Sequence, residues 1–287
     1  MADTLVLLAP PLATQEPPVL PPRAPRTAST PRPLAFVGRR LRPIAILGAL
    51  LAAWEVAPRA GWVEPSLVPP LHEVISAWWE LAGNGQLWDN TQASLRRAVA
   101  GFVIAVLVGV PIGILIGWYR WLHQLLDPLL ELFRNTAALA LLPVFTLLLG
   151  IGETSKTAIV VYACVFPVIL NTVSGVRSVD PLLVKSARSM GLSPLRLCQK
   201  VVLPAAVPTI FTGIRMAGAA SILVLVAAEM VGAKAGLGYL INYAQFNFMI
   251  PEMYAGILTI SAIGLAVNAS LVRLERRFSR WRTDVRG

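Results

Sequence analysis

The sequence predicts an all-α polytopic membrane protein with about six transmembrane helices, and three observations carry that expectation. First, 56% of the 287 residues are hydrophobic and only 14% are charged, with mean hydropathy +0.66, far more apolar than a soluble domain of this size. Second, six blocks approach the roughly 20 apolar residues that a helix needs to cross a hydrocarbon core of about 30 Å. Third, Lys and Arg collect in alternate connections between those blocks, as the positive-inside rule requires of cytoplasmic loops. That sorting accounts for most of the net charge of +10, which otherwise invites a nucleic-acid reading. The basic residues do not form one face interleaved with aromatics, so nucleic acid is excluded as a partner.

Taken in order, residues 1–35 carry Pro10, Pro11, Pro17, Pro18, Pro21, Pro22, Pro25, Pro31 and Pro33. Proline at that density removes helix donors, and a disordered, Pro-rich cytoplasmic tail is expected. A secretory signal is not, because Asp3 replaces a basic start and Pro10 and Pro11 break the run from Leu5 to Ala9. Residues 36–287 then form the transmembrane domain. Its expected spans are Leu41 to Trp62, Val99 to Trp118, Ala137 to Ile151, Ala158 to Val173, Ile210 to Val231 and Tyr254 to Leu274. Between the first two, Leu71, Val74, Ile75, Trp78 and Leu81 repeat at helical spacing, the pattern of an interfacial amphipathic helix.

The arginine-rich tail before the first block, Arg120 and Arg134, the loop carrying Arg177, Lys185, Arg188, Arg196 and Lys200, and the C-terminal Arg273 to Arg286 fall on one side of this six-span order. Both termini are therefore expected in the cytoplasm. Arg96 and Arg97 fall on the opposite side, and snorkelling at the mouth of the second helix is preferred to a substrate role. Cys164 and Cys198 are expected at different depths and unpaired, and His72 and His123 lack the neighbours of a metal site.

Gly109, Gly113 and Gly117 recur every fourth residue, which lets a neighbouring backbone approach closely. Pro143 and Pro167 interrupt the third and fourth helices, where interruption is tolerated beside a protein-lined cavity. Pro143 is accordingly a pathway candidate, with Tyr162, Asn171, Thr172 and Ser221 as polar lining or as partners for helix backbone. Glu229 is the costliest side chain in the blocks; it is read either as functional at depth or as capping or pairing with Lys234. The run from Gly150 to Thr157 approaches a phosphate-cradling loop, but Ser155 stands at the second glycine and no strand precedes it, so it is read as a short turn.

The stretch from 180 to 204 is the polar insertion between two apolar blocks. Asp180 before Pro181 starts a helix, Gly191 ends it, and Ser193 with Pro194 starts another that Pro204 follows. Leu183, Ser186, Ala187 and Met190 share one side, away from Lys185 and Arg188, and offer a small apolar face to a partner's groove.

Lys185-Ser186-Ala187, Gly191 and Val201-x-Leu203-Pro204 resemble the cytoplasmic Glu-Ala-Ala loop of ABC importer permeases, with Lys185 where the family usually carries Glu. Ser94-Leu95-x-Arg97, Gly101-Phe102, Leu141-Leu142-Pro143, Gly150-Ile151-Gly152, Ala228-Glu229 and Gly236-Leu237-Gly238 are similar to its nitrate/sulfonate/taurine branch. The Pro that relatives often carry near Thr136 and Ala137 is missing. The resemblance implies the MetI-like permease fold and an inner-membrane homodimer. It further implies two ATPase subunits that bind ATP and Mg, a periplasmic solute-binding protein, and no catalytic site or cofactor on this chain. The 180–204 loop becomes the ATPase-coupling element, through Leu183, Lys185, Ser186, Ala187, Arg188, Met190, Gly191, Leu203 and Pro204. A small anion is the expected solute, with a vitamin precursor or aromatic acid as alternatives. An ion-coupled secondary transporter would need charged groups at mid-membrane and an internal repeat, and a membrane enzyme would need clustered His, Asp or Glu; neither pattern is evident.

Overall fold

The computed structural model describes residues 33–278, with side chains from 45 onward, so the tail expected over residues 1–35 lies outside the described residues up to position 32. Among the described residues every regular element is helical: α1 (Pro33–Arg59), α2 (Leu71–Gly83), α3 (Gln86–Trp118), α4 (Arg120–Asn135), α5 (Leu142–Leu149), α6 (Glu153–Arg177), α7 (Pro181–Ser189), α8 (Pro194–Leu197), α9 (Leu203–Glu229), α10 (Leu237–Phe246) and α11 (Ile250–Phe278). Contacts divide the chain into residues 1–50 and 51–287. The first unit contributes the opening turns of α1, and the second holds the helical bundle.

Four of these helical stretches are long and apolar enough to span a membrane: Gln86–Trp118, Glu153–Arg177, Pro194–Glu229 and Ile250–Phe278. They carry four of the six expected blocks, extended at their ends. The first block, Leu41 to Trp62, lies partly outside the residues whose side chains are described, which begin at 45. The third block is corrected. A 3₁₀ turn, Ala138–Leu141, runs into α5 and ends at Leu149, a leg that reaches only about 18 Å at the helical rise. It joins α4 at a bend of 86°, and only the two together have the length and hydropathy of a span. Pro143 does not interrupt a helix. It stands in the first turn of α5, where a missing N–H leaves nothing unsatisfied.

The core is α3 laid along α6, with α9 on the other side of α6. Gly101, Gly109, Gly113 and Gly117 face Val160, Val168, Thr172 and Val176 in constant register, so α3 and α6 run parallel. A Cβ at Gly113 would sit 2.6 Å from the Cβ of Thr172 and 2.9 Å from the Ile169 carbonyl oxygen. Glycine is needed there because backbone meets backbone. Gly113→Leu is expected to destabilise the fold by about 1–3 kcal/mol or more, read as lost monodisperse yield and a lower melting temperature in detergent. Wild-type values would show that α3 can move away from α6 without cost.

Gly213 faces Asn171 and Pro167, and Gly175 faces Ala206 and Thr209, so α9 returns antiparallel to α6. Ala98, Ala105, Val160, Cys164, Val168, Ala217 and Leu225 fill the seam among the three helices. The helix α2 covers α10 and α11 with Val74 and Leu81, and Trp78 Nε1 donates to Thr259 Oγ1 at 3.0 Å. Its amphipathic pattern thus reports a protein-facing side.

Candidate functional site

At the end of the core where α6 gives way to α9, Asp180 Oδ1 accepts the Leu182 N–H at 2.8 Å and starts α7. Gly191, at φ +76°, reverses the chain, its N–H donating to the Arg188 carbonyl at 2.9 Å and that of Leu192 reaching Ala187 at 3.3 Å. The left-handed residue closes the helix and aims the next one. Leu183, Met190 and Leu195 are exposed large apolar side chains, and Lys185, Ser186 and Arg188 are exposed beside them. Ala187 differs from expectation. It is only 2% exposed, so it anchors α7 to the bundle and is not part of the outward face.

The second short helix also differs. The helix α8 does not stop before Pro204 but continues through a π-turn, Cys198–Val202, into α9. Pro204 lacks an N–H and its ring clashes with a carbonyl one α-turn back; the wider π-turn preceding it relieves that conflict without ending the helix. Leu203 is half-buried and Pro204 exposed in the first turn of α9. The loop is therefore joined through continuous helix to the spanning α9.

At the other end, the start of α3, the start of α6 and the end of α9 converge on Arg97. It is 5% exposed and does not snorkel. Its Nη1 donates to Glu229 Oε1 at 2.5 Å and to the Ala235 carbonyl at 2.7 Å. Its Nε and Nη2 fork onto both carboxylate oxygens of Glu153, each at 2.5 Å. Glu229, 1% exposed, also accepts from Ser94 Oγ at 2.7 Å and the Gly238 N–H at 3.0 Å. Ser94 Oγ accepts the Leu237 N–H and Asn90 Oδ1 the Gly236 N–H, both at 2.8 Å. A Cβ at Gly236 would collide with the Glu229 carboxylate, and one at Gly238 with the Val226 carbonyl. The glycines are there because the connection between α9 and α10 is drawn onto that carboxylate. Pairing of Glu229 with Lys234 is replaced by pairing with Arg97, since a group this buried needs a partner equally withdrawn from water.

The phosphate-loop lookalike is the start of α6. The Gly152 N–H donates to Ser155 Oγ at 3.4 Å and Ser155 Oγ donates to the Gly152 carbonyl at 3.0 Å. Ser155 and Lys156 are buried, and Lys156 Nζ reaches the Gly152 carbonyl at 3.4 Å.

The pathway candidates do not form one surface. Glu229 belongs to the Arg97 network. Ser221 Oγ donates to the Gly218 carbonyl at 2.8 Å, and Asn171 Nδ2 to the Pro167 carbonyl at 2.8 Å. Those two satisfy helix backbone, and Thr172 Oγ1 is buried against Gly113 without a hydrogen-bond partner. Pro143 is exposed on α5. Tyr162 lines a cleft of about 710 Å³ with Ile104, Phe145, Glu153, Thr157 and Phe166. Ser94, Asn90 and Glu153 were missed as site residues, because partners more than fifty positions away identify them. The one signal was that Arg97 and Glu153 fall on the same side of the expected six-span order.

Residues 109–282 match the family model described as binding-protein-dependent transport system inner membrane component. The chain is 35% identical over 242 residues to the putative aliphatic sulfonates transport permease protein of Escherichia coli K12, covering 84% of this chain and 92% of that protein. It is 34% identical over 247 residues to the taurine transport system permease protein of the same organism, covering 84% and 90%. A solved structure of the MetNI methionine ABC transporter in inward-facing conformation superposes with TM-score 0.59 at 17% identity, over 65% of this chain and 93% of that one. That likeness shows the fold. With the helical core, the two-helix loop between α6 and α9 and the relatives together, the chain belongs to the binding-protein-dependent inner-membrane permeases of ABC importers.

Proposed function

We propose that this permease works as a homodimer in the bacterial inner membrane, with two cytoplasmic ATPase subunits and a periplasmic solute-binding protein, and imports a small anion of the sulfonate or nitrate type. The observation that carries the reading is the α7–α8 lever: exposed Leu183, Met190 and Leu195 on a two-helix element that runs without a break into α9. Such a surface fits a groove on a cytoplasmic partner, and closure of the ATPases moves α9 through it. ATP and Mg are bound by those subunits, and this chain contributes no catalytic group. Loops rich in Lys and Arg support a cytoplasmic location for both termini and the α7–α8 element. The anion assignment is supported by relatives named for sulfonates and taurine.

Deleting this gene is expected to abolish energy-dependent uptake of radiolabelled taurine or methanesulfonate by intact cells, with uptake restored by the gene in trans. Unchanged uptake of every small anion tested would refute the reading. Complementation with Lys185→Glu is expected to restore at least wild-type uptake. Lys185 is exposed, and one surface charge is worth at most about 1 kcal/mol.

A further inference from the structure

We infer that the Nε/Nη2 edge of Arg97 is an anion-binding site of the outer cleft, held in this structure by Glu153 as a built-in competitor that an incoming sulfonate or carboxylate displaces. The inference rests on the proposed import of a small anion. Two edges of the guanidinium are treated differently by the fold. The Nη1 edge is fixed from the protein side by Glu229, the last residue of α9, and by the Ala235 carbonyl on the connection that follows. The opposite edge, the fork geometry that takes planar or tripodal oxyanions in a bidentate manner, is covered by one side chain. That side chain, Glu153, is 72% exposed, whereas the Arg97 side chain beneath it is 6% exposed. Arg97 is thus withdrawn from water by a residue that is itself largely in water.

Glu153 also borders the cleft of about 710 Å³, whose lining includes Thr154 and Thr157 in the same opening turns of α6. An oxyanion at the Glu153 end of that cleft reaches the guanidinium edge once Glu153 turns away. The exchange is electrically neutral at Arg97, since one monoanion replaces another. Glu153 gives up a partner while regaining the hydration it has mostly kept. Glu229 remains on Arg97 throughout, so the cation never loses its buried counter-charge. A cleft wall of Ile104, Phe145 and Phe166 suits the short apolar body of an alkyl sulfonate beside its charged head.

The test uses the full permease purified in lipid-free detergent, with sodium methanesulfonate as probe against sodium chloride at equal ionic strength. Methanesulfonate is expected to raise the melting temperature of the wild type more than chloride does. In Glu153→Ala and Glu153→Gln it should reach half its effect at about five-fold lower concentration, the factor set by removing one exposed ion pair. The same response in wild type and both variants, or no difference between the two anions, would overturn the inference. Added phosphatidylglycerol that abolishes the methanesulfonate response would assign the edge to a lipid phosphate and overturn it as a solute site. Failure of the wild type to import any small anion refutes the proposed function. Anion import with a methanesulfonate response indifferent to Glu153 refutes this site alone.

Discussion

Glu229→Ala is expected to be the most damaging single substitution in the chain, costing about 3–5 kcal/mol, the usual result of leaving one partner of a buried ion pair alone. Arg97 Nη1 would lose a carboxylate, Ser94 Oγ and the Gly238 N–H would lose their acceptor, and the Gly236–Gly238 turn would lose the group it is folded around. That cost is a large fraction of the 5–15 kcal/mol by which proteins are ordinarily stable. Expression as a fluorescent fusion, followed by size-exclusion chromatography in mild detergent, is expected to show mostly aggregate. Replacing both partners, Arg97→Met with Glu229→Met, should recover part of the monodisperse peak, because neither member of the buried pair is left alone and Glu153, which loses Arg97, is already 72% exposed to water. A Glu229→Ala protein that elutes and melts like the wild type would mean that Arg97 is held by Glu153 alone, and that the Glu229 arm adds nothing to stability.

Gly191→Val is expected to abolish transport while leaving the membrane bundle folded. The residue sits at φ +76°, and nothing lies within 4 Å of the position a Cβ would take, so the penalty is one of backbone conformation and not of crowding. An L-residue forced into that region costs about 1–2 kcal/mol, and a β-branched one more. The chain escapes by re-aiming α8, which is continuous through the π-turn with α9. In proteoliposomes carrying the assembled importer, the variant should bind its ATPase poorly or hydrolyse ATP without solute uptake. Gly191→Asn should retain much of the coupling, since asparagine tolerates the left-handed conformation. Full coupled uptake by Gly191→Val would remove the lever from the mechanism.

The residues of that lever show how far local chemistry carries. Asp180 with Pro181, Gly191, and Ser193 with Pro194 are start and stop signals that act within four positions of themselves, and α7 and α8 begin and α7 ends where they stand. Pro204 carries the same kind of signal and misleads. Its missing N–H is accommodated by a π-turn, and whether a helix breaks or widens at a proline depends on what α9 gains by packing beyond it. Pro143 misleads in the opposite sense, as the start of a short helix after an 86° bend, in a stretch whose hydropathy alone reads as a straight span.

The sequence by itself determined the all-α membrane class, most of the spanning blocks and the limits of α7, because hydropathy, helical period and capping are properties of neighbouring residues. Only the tertiary structure decided that Arg97 is buried between Glu229 and Glu153, that Ala187 faces inward, and that Gly236 and Gly238 are shaped to a carboxylate. The physical reason is solvation. A charge in a sequence carries no statement of whether water or another charge will surround it, and that is settled when α3, α6 and α9 bring distant side chains within hydrogen-bonding reach.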